Sequence, residues 1–448
     1  MSWFCKKYKS MNRVSVKDFG AVGDGVTDDR VAIQNAIDSG KPLLFPNGVY
    51  LLDSYSTKDS GSILLCDGKY NKIDWKFETG GTLLVKETIP DSIYKIAVVN
   101  IRPKISTIES AVIDGIHIKS SLNTLTEITG IRTSHYNEYD VRNFKCTNAL
   151  ITDTTEDGLH IQSNNNYLYN ITCINNNGHA LGIITYKDTP IPNTVSINGF
   201  TSINCDAYSI DFSGGKNDGA LTPNGQWVGT VKNVLSINTR YGVKIAGHWK
   251  LSIEDMTILK SKYNGFFINV DSKDYGELVM DRVFIKDCGR SGFSGDGEFN
   301  KISLNNLTVS DTKAGSLKAH SKELTLTNIK LINGNHGVLI SGNAKIDNLM
   351  IENHVGDTIF RTYCDNLYCK NLFLIKAGSG YSILSYDNPS VNSIEFDTIT
   401  FANCNPITHG IYNANQSKIK VSNTDFTELT GQAVNNQSLF EFKNCIGI

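Results

Sequence analysis

A loose internal repeat constrains this chain more than any other feature. From about Gly115 to Phe442 one phrase recurs: an asparagine-rich turn, a glycine or small residue, then an apolar-x-apolar triplet. Gly115-Ile-His-Ile, Gly130-Ile-Arg-Thr, Gly158-Leu-His-Ile, Gly242-Val-Lys-Ile, Gly265-Phe-Phe-Ile, Gly337-Val-Leu-Ile and Gly410-Ile-Tyr carry it. Neighbouring anchors stand roughly 15 to 30 residues apart, mostly within the period of stacked solenoid coils. One such coil cannot bury its own apolar face, so the chain must fold by stacking and present a long ridged wall. The 448 residues therefore predict one elongated all-β body rather than several ordinary domains.

Charge and cysteine usage narrow the partners. The 43 basic and 45 acidic residues nearly cancel and form no basic tract, which argues against nucleic acid. No apolar run approaches the roughly 20 residues of a membrane span. The opening MSWFCKKYKSMNR lacks the apolar core of a secretion signal. The ten cysteines include no C-x-x-C pair and no zinc-like spacing, so neither metal nor cofactor is expected. Cys146, Cys173, Cys205, Cys288 and Cys404 each sit near an Asn or Gly turn, which predicts small buried side chains stacked from coil to coil rather than disulfides. Asparagines near 148, 176, 204, 238, 333 and 403 predict a ladder of tight bends, since Asn tolerates left-handed backbone.

Residues 16–29, Val-Lys-Asp-Phe-Gly-Ala-Val-Gly-Asp-Gly-Val-Thr-Asp-Asp, read as a glycine-punctuated turn leading into a helix, with Thr27 or Asp28 as its cap. Ala32, Ile33, Ala36 and Ile37 line one face of that helix, and Gly40 ends it. Such a helix would cover the open edge of a β-stack. A strand, turn and strand follow over residues 43–52. The phrase DFGAVGDGVTDD, a helix and then FPNGVY resembles the N-terminal signature of the pectate-lyase-like superfamily, which includes polygalacturonase-type glycosidases and bacteriophage tailspike depolymerases. The resemblance implies a single-stranded right-handed parallel β-helix with a short N-terminal capping helix. It divides the chain into an N-terminal docking or flexible segment (1–15), a cap with the first coils (16–105) and a body with the substrate groove (106–448).

Two loop-like stretches, 185–193 and 213–227, interrupt the repeat and would wall a binding face. Along the strands after the anchors, alternation turns Arg132, His160, Gly182, Asp211, Lys244 and Phe267 outward in one column. A second column holds Asp157, His179, Tyr208, Tyr241 and Asn264. Coils about 4.8 Å apart would set His160 and Asp211 on either side of a notch at Gly182, with Asp157 and His179 as neighbours. Glycoside hydrolysis needs one carboxyl group as acid and another as base or nucleophile. Asp157, Asp211 and Asp218 are the candidate carboxylates, Glu156 is a fourth, and His179 could tune one of them. Arg240 and Lys244 could hold an acidic or hydroxyl-rich substrate. Tyr186, Trp227, Tyr241 and Trp249 offer faces for sugars, and His160 reads as a surface histidine at the substrate.

Thr155-Glu-Asp-Gly158 resembles the Asn-Thr-Asp-Gly of polygalacturonase-type hydrolases, Gly178-His-Ala180 their Gly-His-Gly, and Arg240-Tyr-Gly-Val-Lys244 their Arg-Ile-Lys. The resemblance implies an acidic catalytic-site residue at Asp157, a supporting histidine at His179 and a substrate cation at Lys244. It further implies a tailspike depolymerase hydrolysing a bacterial capsular or surface polysaccharide, homotrimeric, located in the virion and docked through its N-terminus to another phage tail protein. A polysaccharide lyase and a non-catalytic glycan receptor are the alternatives.

Overall fold

The computed structural model describes residues 12–54, 61–86, 95–120, 127–134, 139–185, 194–214, 227–247, 249–269, 276–295, 299–356, 358–376, 380–385, 393–404, 407–414, 418–429 and 431–448. The expected loop residues Tyr186 and Asp218 lie outside them, as does the side chain of Trp227. The chain folds as a right-handed parallel β-helix. It divides into two compact units: Met1–Ile184 with Asn193–Thr201, and Thr185–Pro192 with Ser202–Ile448.

Within each unit, each coil lays its strands parallel to those of the next. In the first, Asn143–Thr152 pairs with Asn165–Ile174; in the second, Trp227–Ile237 pairs with Trp249–Leu259 and that strand with Glu277–Cys288. Burial alternates along these strands, but the phase slips once in the middle. Cys146 and Thr147 are both buried before the exposed Asn148, and Ala149 is buried again. Asn148 has φ 54° and is skipped in the pairing, so the strand bends there without losing register.

Two such corners occur per coil. In the first unit Asn148 and Asn170 mark one, Asp153 and Asn175 the other. In the second unit the same division separates Asn306, Asn328 and Asn348 from Asp311, Asn333 and Asn353. Side-chain amides link successive corners: Asn170 Nδ2 donates to Asn148 Oδ1 at 2.9 Å, and Asn348 Nδ2 to Asn328 Oδ1 at 2.9 Å. The ladder expected from sequence is therefore double. Its member in one coil is Asn175 rather than Asn176, whose buried side chain instead binds Thr154 Oγ1.

The anchor glycines have a steric cause. A Cβ on Gly242 would stand 2.0 Å from the carbonyl oxygen of Gly265, and one on Gly158 2.7 Å from that of Ala180, so a side chain would force adjacent coils apart. The described cysteines are all free, and those near the turns are buried. Burial pushes the thiols of Cys146, Cys288 and Cys364 up to about 12, as inert packing groups require.

The signature at the N-terminus builds a cap. Asp29, almost fully buried, accepts from the backbone of Val22 at 2.6 Å and Gly23 at 3.0 Å, which folds the glycine turn onto the start of helix Arg30–Asp38. Asp28 Oδ1 accepts the Arg30 amide, whereas Thr27 serves the turn by donating to Asp24. Ile33 and Ala36 are buried, and the Gln34 side-chain amide pairs with both the N–H and the carbonyl of Leu65 at 2.9 Å. One glutamine thus closes an exposed strand edge, as the cap reading anticipated. No helix of the described residues is long and apolar enough to cross a membrane.

Candidate functional site

Thr154 to Gly158 form a bend that the coil below fixes. Thr155 Oγ1 accepts from Ile128 N at 2.8 Å, Glu156 N donates to Ile128 O at 3.1 Å, and the Asp157 carbonyl accepts from Gly130 N at 2.9 Å. The Asp157 side chain is thereby aimed into the wall, where it is 3% exposed. Its Oδ1 accepts the backbone N–H of His179 at 2.8 Å, and its Oδ2 lies 2.9 Å from His160 Nδ1. A Cβ on Gly178 would stand 2.6 Å from Asp157 Oδ1, so glycine before His179 lets that amide approach. Asp157 and His179 are neighbours as expected, but through the histidine's backbone.

His160 is not a bare surface histidine. An ionised carboxylate only accepts, so Nδ1 carries the proton and Nε2 is left as an acceptor, 2.9 Å from the side-chain amide of Gln162. Burial opposes charge on Asp157, but the His160 hydrogen bond, the two nearby histidines and the His179 amide outweigh it and hold the carboxyl below its ordinary range. Glu156 moves the other way. Its own burial and the adjacent Asp157 charge raise it, against the opposing pull of Lys95, whose Nζ lies 3.6 Å from Glu156 Oε1. Neighbouring carboxyl groups pushed apart in this manner are how sites divide acid and base roles.

Arg132 and Gly182 are the rungs on either side of His160. At Gly182 the nearest atoms a Cβ would meet are His179 Cδ2 at 3.6 Å and Asp157 Oδ2 at 3.8 Å, ordinary contacts. Glycine here is not demanded by crowding, unlike at Gly158. Gly182 is itself buried, and the space its side chain would take is bordered by Asp157 and His179.

The second unit gathers Asp211, Lys244, Arg240 and Tyr241. Asp211 is 3% exposed; its Oδ2 lies 3.2 Å from Lys244 Nζ and its Oδ1 accepts from Ser213 Oγ at 2.6 Å. Lys244 also stands 5.1 Å from the Tyr208 ring centroid, so Asp211 and Lys244 balance one another. Burial and the Asp211 charge push Tyr208 up to about 12. Tyr241 stacks between Tyr208 at 4.7 Å and Tyr263 at 4.9 Å, which turns its edge and hydroxyl, not its faces, to a ligand. Around Tyr263 stand Arg290 at 4.9 Å, Arg240 at 5.7 Å and Lys262 at 6.0 Å. Tyr263 and Arg290 escaped the sequence reading, which carried the Tyr208–Tyr241 column on to Asn264, one residue past the ring that stacks on Tyr241. Trp249 corrects an expectation: it is fully buried, edge-on to Phe212 and donating to the Ala246 carbonyl, so it has no face for a sugar. Among the described residues no group of three His, Cys, Asp or Glu side chains is arranged to hold a metal ion.

Residues 13–267 match the rhamnogalacturonase A/epimerase, pectate lyase-like family, and the chain belongs to it. Over 61 residues it is 44% identical to mannuronan C5-epimerase AlgE4 of Azotobacter vinelandii, a match covering 12% of this chain and 11% of the epimerase. Over 60 residues it is 43% identical to the pre-neck appendage protein of Bacillus phage phi29, covering 13% of this chain and 7% of that protein. The matches thus span about a tenth of these curated relatives' length. Among solved structures, a tailspike protein of E. coli bacteriophage HK620 is similar with a TM-score of 0.42 at 11% identity, over 97% of this chain and 78% of that one.

Proposed function

We propose that the protein is a depolymerase of the phage tailspike kind, hydrolysing glycosidic bonds of a bacterial capsular or other surface polysaccharide. The observation that carries this reading is the geometry of the bend, where the buried Asp157 holds His160 Nδ1 at 2.9 Å and the adjacent Glu156 has its carboxyl raised by burial and by the Asp157 charge. Glu156, held toward its protonated form, gives its proton to the glycosidic oxygen as the C–O bond breaks. Water adds to the anomeric carbon and yields a proton to His160 Nε2 as the Gln162 amide gives up that nitrogen, while Asp157 keeps the ring oriented and steadies the imidazolium. In this scheme Asp157 is a positioning residue and Glu156 the acid. Family membership and the short matches to a polysaccharide epimerase and a phage appendage protein support the same substrate class. We further assign substrate contacts to Arg240, Tyr241 and Lys244, and a homotrimeric state in the virion, which light scattering of the purified chain tests.

The test is product analysis on a panel of capsular polysaccharides. Release of discrete oligosaccharides, lost in Glu156→Gln and in His160→Ala, is the expected result; undiminished cutting by both variants would overturn the assignment. One observation favours a second reading. Arg132, the rung next to His160, puts a cation beside a base, the pair that abstraction of a proton next to a sugar carboxylate requires. An unsaturated product absorbing in the ultraviolet would replace hydrolysis by elimination.

A further inference from the structure

Three consecutive coils of the second unit change length at one corner. Ser321 pairs with Gly342 and Glu323 with Asn343, so Lys322 is an extra residue on one side. Gly342 pairs with Cys364 and Asn343 with Asn366, so Asp365 is extra on the other. The coil through Gly342 and Asn343 is therefore shorter at this corner than both neighbours. Gly342 has φ +91°, and a Cβ there would lie 1.7 Å from the Ser321 carbonyl oxygen, so only glycine turns this tightly. Just beyond it, Ala344 occupies the core position that Leu324, Leu367 and Ile394 fill in adjacent coils. Over this short coil, with its small core residue between larger ones, lies a recess of about 330 Å³.

The recess is lined by polar side chains around one aromatic ring. Glu323, Thr325, Asn343, Lys345 and Glu395 surround Tyr368, which is 37% exposed, and Asn366 Nδ2 donates to Asn343 Oδ1 at 2.7 Å. We propose that this recess is an accessory saccharide-binding site that takes one or two uncharged, hydroxyl-rich sugar units. Carboxylates accept from sugar hydroxyls, the Lys345 ammonium and the amides donate to them, and the Tyr368 ring covers a C–H face. Two carboxylates against one ammonium disfavour an anionic sugar. The volume falls at the lower end of ligand sites, about 300–1,000 Å³. Its purpose is retention: a second, weak hold raises the effective concentration of polymer at the first. The ligand class rests on the glycan reading above; the geometry of the recess does not.

The experiment uses the full chain carrying Glu156→Gln, so that ligands are not cut, on an array of neutral, amino-bearing and acidic oligosaccharides. The strongest neutral binder is then titrated calorimetrically. Tyr368→Ala and Glu395→Gln, both at the surface, are expected to weaken that binding about tenfold or more, and Asn343→Trp to abolish it by filling the recess. In the active background Tyr368→Ala slows degradation of polymer but leaves short soluble oligosaccharides cut at the original rate. Neutral binding untouched by these variants, no neutral binder at all, or a recess covered by self-association that Tyr368→Ala relieves would each overturn the site. Cutting that persists in Glu156→Gln would instead remove the catalytic assignment, and the calorimetric arm would still decide the recess.

Discussion

The bend at Thr154–Gly158 and the run of coils from Glu277 to Ile375 are built from the same corner-and-strand grammar, yet they spend polar side chains differently. In that run, the buried Ser316 and His354 serve each other, Thr312 and the backbone: His354 Nε2 lies 2.8 Å from Ser316 Oγ, Ser316 Oγ 3.2 Å from Thr312 Oγ1, and His354 Nδ1 2.9 Å from the Glu352 carbonyl oxygen. Around the bend, a buried carboxylate holds a partly exposed histidine whose second nitrogen meets an amide at the wall. A polar cluster that closes on itself in the core is scaffold, and one that holds a partly exposed histidine is poised for chemistry. Two histidines of similar local complexity thus predict opposite phenotypes.

The largest effect should fall at the bend. Glu156→Gln removes the proposed acid and is expected to cost about 10²- to 10⁴-fold in the rate of chain cutting, the range for general acid catalysis. Because Glu156 is raised by its burial and by Asp157, the wild-type rate should decline as pH climbs through a point above the ordinary carboxylate range. In the variant this alkaline limb should disappear from the pH profile. Asp157→Asn should also cripple cutting, by releasing His160. A Glu156→Gln enzyme with an unchanged pH profile would erase the contrast between the two regions.

At His354 the effect should be on stability alone. Burial lowers His354 to about 4 from an ordinary 6.5, so the folded protein refuses a proton that the unfolded chain accepts. Above pH 6.5 the residue contributes no pH dependence. As pH falls from 6.5 to 4, stability should drop by up to about 3 kcal/mol, at 1.36 kcal/mol per unit over 2.5 units, and then level off. Urea midpoints measured across that window check it, and a His354→Gln protein should show a shallower slope while cutting polysaccharide normally.

Glycines sharpen the comparison further. Gly242→Ala drives a methyl to 2.0 Å from the Gly265 carbonyl and should cost roughly 1–3 kcal/mol, whereas Gly182→Ala has room and should leave the thermal midpoint almost unmoved. The alanine at 182 should nevertheless weaken substrate binding, because it adds a methyl group against Asp157 and His179. If both substitutions destabilise equally, the gap at Gly182 is structural and not a site.

What the sequence made legible follows from what repeats. Coil stacking needs glycine wherever a neighbouring carbonyl crowds in, so the anchors announced the fold, and the glycine-aspartate turn announced the cap. Asn176 stood for Asn175 because two adjacent asparagines look alike until backbone geometry chooses the left-handed one. His160 was read correctly as outward by alternation, yet its partnership with Asp157 depends on how a bend aims a side chain, which no periodicity encodes. Trp249 was misjudged for the same reason: the bare sequence allowed the ring either face of its strand. The short coil at Gly342 was invisible because a one-residue difference in length between neighbours has no local composition.

The smallest expected effect tests the corners that both regions share. Asn328 sits at φ 54° and both donates to Asn306 Oδ1 at 3.1 Å and accepts from Asn348 Nδ2 at 2.9 Å. Asn328→Gly keeps the left-handed backbone but loses two exposed side-chain hydrogen bonds, so it should cost about 1 kcal/mol. Asn328→Ala loses the bonds and adds left-handed strain of about 1–2 kcal/mol, so it should be the worse of the two. The difference between these variants, read from urea midpoints, isolates strain from hydrogen bonding at one rung. Equal losses would mean that the ladder's bonds, not the tolerance of asparagine for the bend, hold the corner, and the same pair of substitutions at Asn170 would then ask whether the first unit's corner obeys the same rule.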